Sequence, residues 1–301
     1  MVSYDKLLKI LNEKKLRKSD LSSLIGISSR TIAKIGKGER IADHVLNKIA
    51  AYFGCDSSEL FRVISDNVVL QVLRDEMEAK LSGGLYHETQ VLLTYNSNRI
   101  EGSKLSEDQT RLIFETNTVD VEDGIPVDDI IETSNHFRAV DFVIANTEES
   151  LDEEFIKKLH LILKAGTVDS RISWFNVGEY KAKANTVGGM STAAPKQVPN
   201  EMRKLLSWYQ SIKPVSFEDI VEFHYRFEKI HPFQDGNGRV GRLIAFKECL
   251  RHKIVPFIIE DSKKMFYYRG LREWDNEKGF LLETCRDGQD KYSSLIKYFE
   301  A

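Results

Sequence analysis

Apolar residues recur at helical spacing along most of this chain, in runs of changing length. The first sixty-four residues break into short runs. Tyr4, Leu7, Leu8, Ile10 and Leu11 predict one helix. Leu21, Leu24 and Ile25 predict a second, capped at Ser19 and stopped by Gly26; Thr31, Ile32 and Ile35 predict a third, capped at Ser28 and ending at Gly38. Two more helices are expected over residues 44–53 and 57–64. The element over residues 18–37 therefore reads as helix, glycine turn, helix.

The runs then lengthen. Val68, Val69, Val72, Leu73, Met77 and Leu81 mark a helix closed by Gly83 and Gly84, a pair expected to act as a hinge. A helix over 85–100 stops at Gly102, and Ser106 with Gln109 opens the next as a capping box. Helices are expected from about Val127, over 148–164, over 200–209 and over 216–230. After Gly166 the pattern changes: residues 178–181 and 186–189, followed by Pro195, Val198 and Pro199, read as extended segments around a glycine turn. Leu243, Ile244, Phe246 and Leu250 give a helix from Arg239 to Arg251, and closing helices are expected over 280–299. The fold class is mainly α, with a small β-hairpin.

Composition narrows this picture modestly. The 301 residues are 42% hydrophobic and 30% charged, enough for two domains with a sizeable core. No apolar run reaches membrane-spanning length and no signal-peptide pattern opens the chain, so a cytoplasmic protein without a membrane partner is expected. Cys55, Cys249 and Cys285 are far apart and odd in number, which indicates neither a disulfide framework nor a zinc site. Net charge is −3, unevenly placed: residues 1–64 hold 12 Lys+Arg against 7 Asp+Glu. A basic head on an acidic body suggests different partners for each.

Chemistry concentrates in residues 231–242, His-Pro-Phe-Gln-Asp-Gly-Asn-Gly-Arg-Val-Gly-Arg. His231 follows a buried helix, and Gly236 and Gly238 allow amide N–H groups to converge before the next helix, a place that suits a phosphate. A neutral imidazole can take a proton from a hydroxyl, and Asp235 can hold a magnesium ion that bridges phosphate oxygens. Asn237 can donate to an oxyanion, and Arg239 and Arg242 can fork onto phosphates or a carboxylate. Asp-Gly-Asn-Gly by itself is also a common turn.

The complete string resembles the signature of the Fic family, His-x-Phe-x-Asp/Glu-Gly-Asn-Gly-Arg-x-x-Arg. The resemblance implies AMP transfer from ATP to a hydroxyl of a target protein, on a helical core with a hairpin flap. It implies His231 as general base, Asp235 as Mg2+ ligand, Gly236, Asn237 and Gly238 as anion hole, and Arg239 and Arg242 on the phosphates, with Phe233 anchoring the loop. Residues 97–102, Ser-Asn-Arg-Ile-Glu-Gly, resemble the family's inhibitory helix, which implies that Glu101, one turn after Ser97, pairs with Arg242 and obstructs the ATP γ-phosphate. Thr186, Val187, Gly188 and Gly189 would form the flap that presents the target. Lys181 departs from the arginine common after the flap's tyrosine. Tyr268 stands where relatives line the adenine pocket, though an aromatic there is equally a core residue. His136 and His160 are assigned no role.

The head resembles a Cro-like helix-turn-helix of the Xre type. That likeness implies DNA as a partner, with Ser29, Arg30 and Lys34 at base edges, Lys37 on phosphate, and a dimer. Helical repeats of this size also serve as protein docking modules. The expected organisation is a head over 1–64, a connector over 65–84, the inhibitory and flanking helices over 85–126, a catalytic core over 127–255 and a C-terminal extension over 256–301. Two rivals stay open: a nucleotide-sensing transcription regulator, and a Fic enzyme that removes AMP or transfers another moiety.

Overall fold

The computed structural model describes residues 2–39, 41–63, 67–120, 124–187 and 190–300. They form two compact units, 1–71 and 72–301.

In the first unit, α1 (Asp5–Glu13), α2 (Asp20–Ile25), α3 (Ser29–Gly36) and α4 (Asp43–Phe53) enclose Leu7, Leu11, Leu21, Ile35, Leu46 and Ile49, all nearly or fully buried. Ser28 caps α3 by accepting from Thr31 N, and Gly26 ends α2 in the left-handed conformation. Ser19 makes no capping bond; Asp20 accepts instead from Arg17 N–H at 2.8 Å. The helix expected over 57–64 is a single 3-10 turn, Ser57–Glu59, followed by strand β2 (Arg62–Val63), antiparallel to β1 (Val2–Ser3). Leu60 is fully buried and its carbonyl accepts from Leu7 N–H, which pins the segment as extended chain. Ile64 lies outside the described residues.

Helix α5 (Val68–Ala79) crosses from the first unit into the second. Within the second unit Arg74 donates to the carbonyls of Ile144 and Ala145 and pairs with Glu148. The division between units accordingly falls at Gln71, ahead of the Gly83–Gly84 pair expected as the hinge; that pair turns the chain within the second unit, where Glu76 accepts from Tyr86 N–H.

The second unit is built from α6 (Leu85–Ile100), α7 (Glu107–Thr116), α8 (Val127–Ala145), α9 (Glu153–Lys164), α10 (Val198–Ser211), α11 (Phe217–Ile230), α12 (Asn237–Arg251), α13 (Lys264–Glu273) and α14 (Gly279–Tyr298), with one hairpin, β3 (Thr186–Val187) and β4 (Met190–Ser191). Helix α12 is central, and every residue from Asn237 to Leu250 is buried. A helix buried on all sides must pair its polar groups. Lys247 accordingly meets Glu248 at 2.8 Å and the Glu149 carbonyl at 2.7 Å, and Tyr209 donates to Glu248. Residues 178–181 are turn and irregular chain rather than strand, tied down where Lys181 N–H donates to the Pro232 carbonyl. Pro199 sits in the first turn of α10, a position that needs no N–H. All three cysteines are free.

Candidate active site

The site is made where α11 ends and α12 begins. Ser216 and Asp219 form the capping box that starts α11, and the buried stripe Ile220, Phe223, His224 and Phe227 seats it in the core. The helix stops at His231, held at φ 52°, ψ 63° while its N–H donates to the Phe227 carbonyl at 2.9 Å. The left-handed region is uncommon for residues other than glycine and here it turns the chain into the loop. Phe233 is fully buried, stacked 4.0 Å from the His160 ring. Gly236, at φ 77°, launches α12.

One cavity of about 690 Å³ opens onto this loop. His231, Asp235, Gly236, Asn237 and Gly238 line it together with Glu101, Thr186 and Tyr268. The first N–H groups of α12 have no intrahelical acceptor, and their positive dipole end faces the same residues. Burial, then the Lys181 charge, push the His231 imidazole down to about 4 against the opposing pull of Glu101 and Asp235, so the ring is neutral at physiological pH. Burial alone would raise the Asp235 carboxyl; Arg239 and Lys164 outweigh it and hold the group well below the ordinary carboxylate range, hence ionised.

Glu101 caps the end of α6, one turn after Ser97. Arg242 reaches both: its Nε donates to Ser97 Oγ at 2.9 Å, and its Nη2 donates to the Ser97 carbonyl at 2.9 Å and to Glu101 Oε1 at 2.7 Å. A methyl group on Gly238 would overlap Glu101 Oε1. The carboxylate therefore lies directly on the backbone at the start of α12, where an anion is best held.

Other expected residues take different places. The Asn237 side chain is engaged within the loop, accepting from Phe233 N–H at 2.8 Å and donating to the Phe233 carbonyl at 3.0 Å, so its amide braces the turn with one of its two N–H groups. Arg239 does not line the cavity; it is buried against Glu132 and pairs with Asp235 at 3.2 Å, so a phosphate contact would require that network to open. Arg242 is likewise behind the cavity wall, 4% exposed. Thr186 and Ser191 bring the hairpin to the cavity edge, Val187 continues β3, and Gly188 and Gly189 lie outside the described residues. Tyr268 lines the cavity and donates to the Ile100 carbonyl at 3.0 Å, beside Glu101.

Several contributors were given no role at the site by the sequence. Lys164, 2% exposed, holds Glu132, Asp169 and Asp235 together, the last two at 2.8 Å. His160 accepts from Gly178 N–H through Nδ1 and donates through Nε2 to the Asp235 carbonyl, bracing the loop from below. Lys181 Nζ clasps Asn185 and Thr192 across the hairpin root at 2.8 and 2.7 Å. Glu228 lines the cavity beside His231.

A magnesium ion fits this donor set in one way. Among the described residues no three His, Cys, Asp or Glu side chains gather as a cage. Asp235 is half exposed at the cavity, with Oδ2 engaged by Lys164 and Arg239. A single ionised carboxylate matches an ion that takes its remaining ligands from water and substrate phosphates.

In the first unit, Ser29, Arg30 and Lys37 are exposed and Lys34 is half-buried, on or just past α3. No described helix is long and apolar enough to cross a membrane.

Comparison with known proteins agrees with this architecture. Residues 150–248 match the Fic/DOC family, and residues 6–66 match the Cro/C1-type HTH DNA-binding domain. The protein adenylyltransferases Fic of Drosophila melanogaster and Aedes aegypti are each 29% identical over 184 residues, covering 59% of this chain. The chain spans about a third, 36%, of the length of these relatives. A Fic domain containing signaling protein from Bacteroides thetaiotaomicron superposes with a TM-score of 0.56 at 26% identity, covering 76% of this chain and 90% of that one. Fic-1 of C. elegans shares the fold at a TM-score of 0.61 and 18% identity, over 97% of this chain and 84% of that one. This chain therefore joins a Cro/C1-type helix-turn-helix domain to a Fic domain.

Proposed function

We propose that the chain is an autoinhibited protein adenylyltransferase, moving AMP from ATP to a Ser, Thr or Tyr hydroxyl of a target protein or of itself. The observation that carries this reading is the Glu101 carboxylate seated on the first turn of α12, in the cavity that also holds a neutral His231 and an ionised Asp235. A carboxylate there stands in the place of a phosphate oxygen, so the block and the substrate compete for one anion site.

The chemistry follows from these positions. The ATP phosphates lie along the start of α12, and the target hydroxyl enters beside the hairpin as an added strand. His231 takes the hydroxyl proton while the oxygen bonds to the α-phosphorus and the bond to the β-phosphate oxygen breaks, releasing pyrophosphate. Bound to Asp235, magnesium would neutralise charge on the phosphates. The α12 amides stabilise charge that develops on the α-phosphate. With Glu101 in place the triphosphate is displaced and the α-phosphorus misaligned for attack.

Incubation with α-labelled ATP and a cell lysate tests this. Glu101→Gly should raise label transfer about tenfold or more, the worth of one charge-assisted hydrogen bond, and His231→Ala should abolish it. Equal labelling by wild type and Glu101→Gly would dispose of the inhibitory role.

The match to a Cro/C1-type domain and the exposed face of α3 favour DNA binding as a second property, through Ser29, Arg30, Lys34 and Lys37 in a dimer.

A further inference from the structure

We propose that Glu228 is a positioning residue for His231, its carboxyl group taking the Nδ1 side of the ring so that Nε2 remains the proton acceptor. The proposal rests on the reading of His231 as the base. Glu228 lies on the last turn of α11, three residues before His231, with Oε2 4.0 Å from Nδ1. Both side chains are mostly buried, 12% and 15% exposed. His231 Nδ1 and Glu228 Oε1 are each buried without a hydrogen-bond partner among the described residues. Such orphans are costly; Oε2 is the carboxyl oxygen that faces Nδ1, while Oε1 points toward His224 beside Gly241.

The surroundings keep the carboxyl available. Glu101 from the end of α6, Arg242 from α12 and Tyr267 from α13 face Glu228, while His224 from its own helix approaches the same point beside Gly241. His224 Nε2 already meets the Tyr267 hydroxyl at 2.9 Å. His231 is faced by Lys181, Glu101 and Asp235, and the Glu228 backbone carbonyl also pulls on its ring. Burial, then the Glu101 charge, raise the Glu228 carboxyl to about 8. Below that pH the neutral acid accepts from Nδ1–H through its carbonyl oxygen. Above it, the carboxylate makes the contact charge-assisted and favours the imidazolium that forms when Nε2 takes the proton.

Nitrogen-detected spectra of full-length Glu101→Gly protein carrying labelled histidine, with the His231 signal assigned by His231→Gln, provide a readout independent of turnover. In Glu101→Gly the Nδ1–H tautomer should dominate, and its resonance should move with a midpoint below the value of about 8 that the Glu101 charge helps to set. Adding Glu228→Leu should mix the tautomers and lower kcat for label transfer by about tenfold, with KM for ATP unchanged. Adding Glu228→Gln keeps an acceptor, so the tautomer should hold while that pH-dependent movement shrinks. Lys181, pushed by burial to about 8, titrates close by, so the part removed by Glu228→Gln is the measure. An unchanged tautomer in Glu228→Leu, or an unchanged pH response in Glu228→Gln, overturns the proposal. Should Glu228→Leu not fold, the Glu228→Gln response decides alone. Absence of any AMP transfer by Glu101→Gly would count against the functional reading and leave the ring tautomer to decide this one.

Discussion

Four buried imidazoles set how this protein responds to acid. Burial pushes His136 well below the ordinary 6.5, His160 and His224 down to about 3 and, with Lys181, His231 to about 4. The unfolded chain binds protons that the folded one refuses, so the stability held by neutral rings is complete above about pH 6.5 and is lost as pH falls toward 4. Each ring adds a slope of about 1.4 kcal/mol per pH unit across that window. Asp235, whose folded carboxyl is depressed, adds its own loss only below the ordinary carboxylate value of 3.8. Urea midpoints measured from about pH 7 down to about pH 5 should therefore fall steadily; a midpoint that stays put would mean the rings are solvated. At this scale the sequence singled out His231 and Asp235, which the structure gathers at one cavity, and, through the resemblance of residues 97–102 alone, the Glu101–Arg242 contact, which it shows at 2.7 Å. It was silent on Lys164, since a lysine ending an amphipathic helix reads as solvated whether it faces water or, as here, three carboxylates. It missed the bracing role of the Asn237 amide because the closure of the 233–237 turn appears only in three dimensions.

Elements were legible where their apolar stripe was strong and their ends were capped, as in α3, α7 and α11. Ser57–Glu59 and β2 were not, because a two-residue strand is decided by its partner β1 and carries too few positions for a period. Helix α12, read from Leu243, Ile244, Phe246 and Leu250, is buried on every side, and its Lys247 is held by a carbonyl remote in sequence. Close helix approach is equally invisible in the sequence. Gly270 on α13 stands so near α14 that an added Cβ would lie 2.7 Å from the Leu281 backbone N and Cα. Backbone cannot rotate away as a side chain can, so Gly270→Ala must push α13 and α14 apart. Overpacking of this kind costs roughly 1–3 kcal/mol, and denaturant unfolding should show it at unchanged m-value. A midpoint equal to wild type would mean that the two helices slide apart freely.

At the scale of the whole molecule, the charge asymmetry is the clue to a second binding partner. Twelve basic residues against seven acidic ones in residues 1–64 give the head a modest positive excess, while the remainder of the chain is acidic. Attraction to the DNA backbone in such a domain should be weak and salt-sensitive, and specificity must come from a few side chains at the start of α3. Arg30 is exposed near the N-terminus of α3, and Lys37 is exposed just past its end. The two positions call for different behaviour. Arg30→Ala should cost about 1–3 kcal/mol on the cognate sequence and relax the preference at one base pair, whereas Lys37→Ala should weaken all sequences alike and reduce the slope of log K against log salt by about 1. Titrations of the full chain against its own promoter region and against scrambled DNA, each at several salt concentrations, separate the two effects. Equal losses on both DNAs for Arg30→Ala would show that α3 holds phosphates and reads no bases. Slopes untouched by either change would move the basic face of this head from DNA to a protein partner.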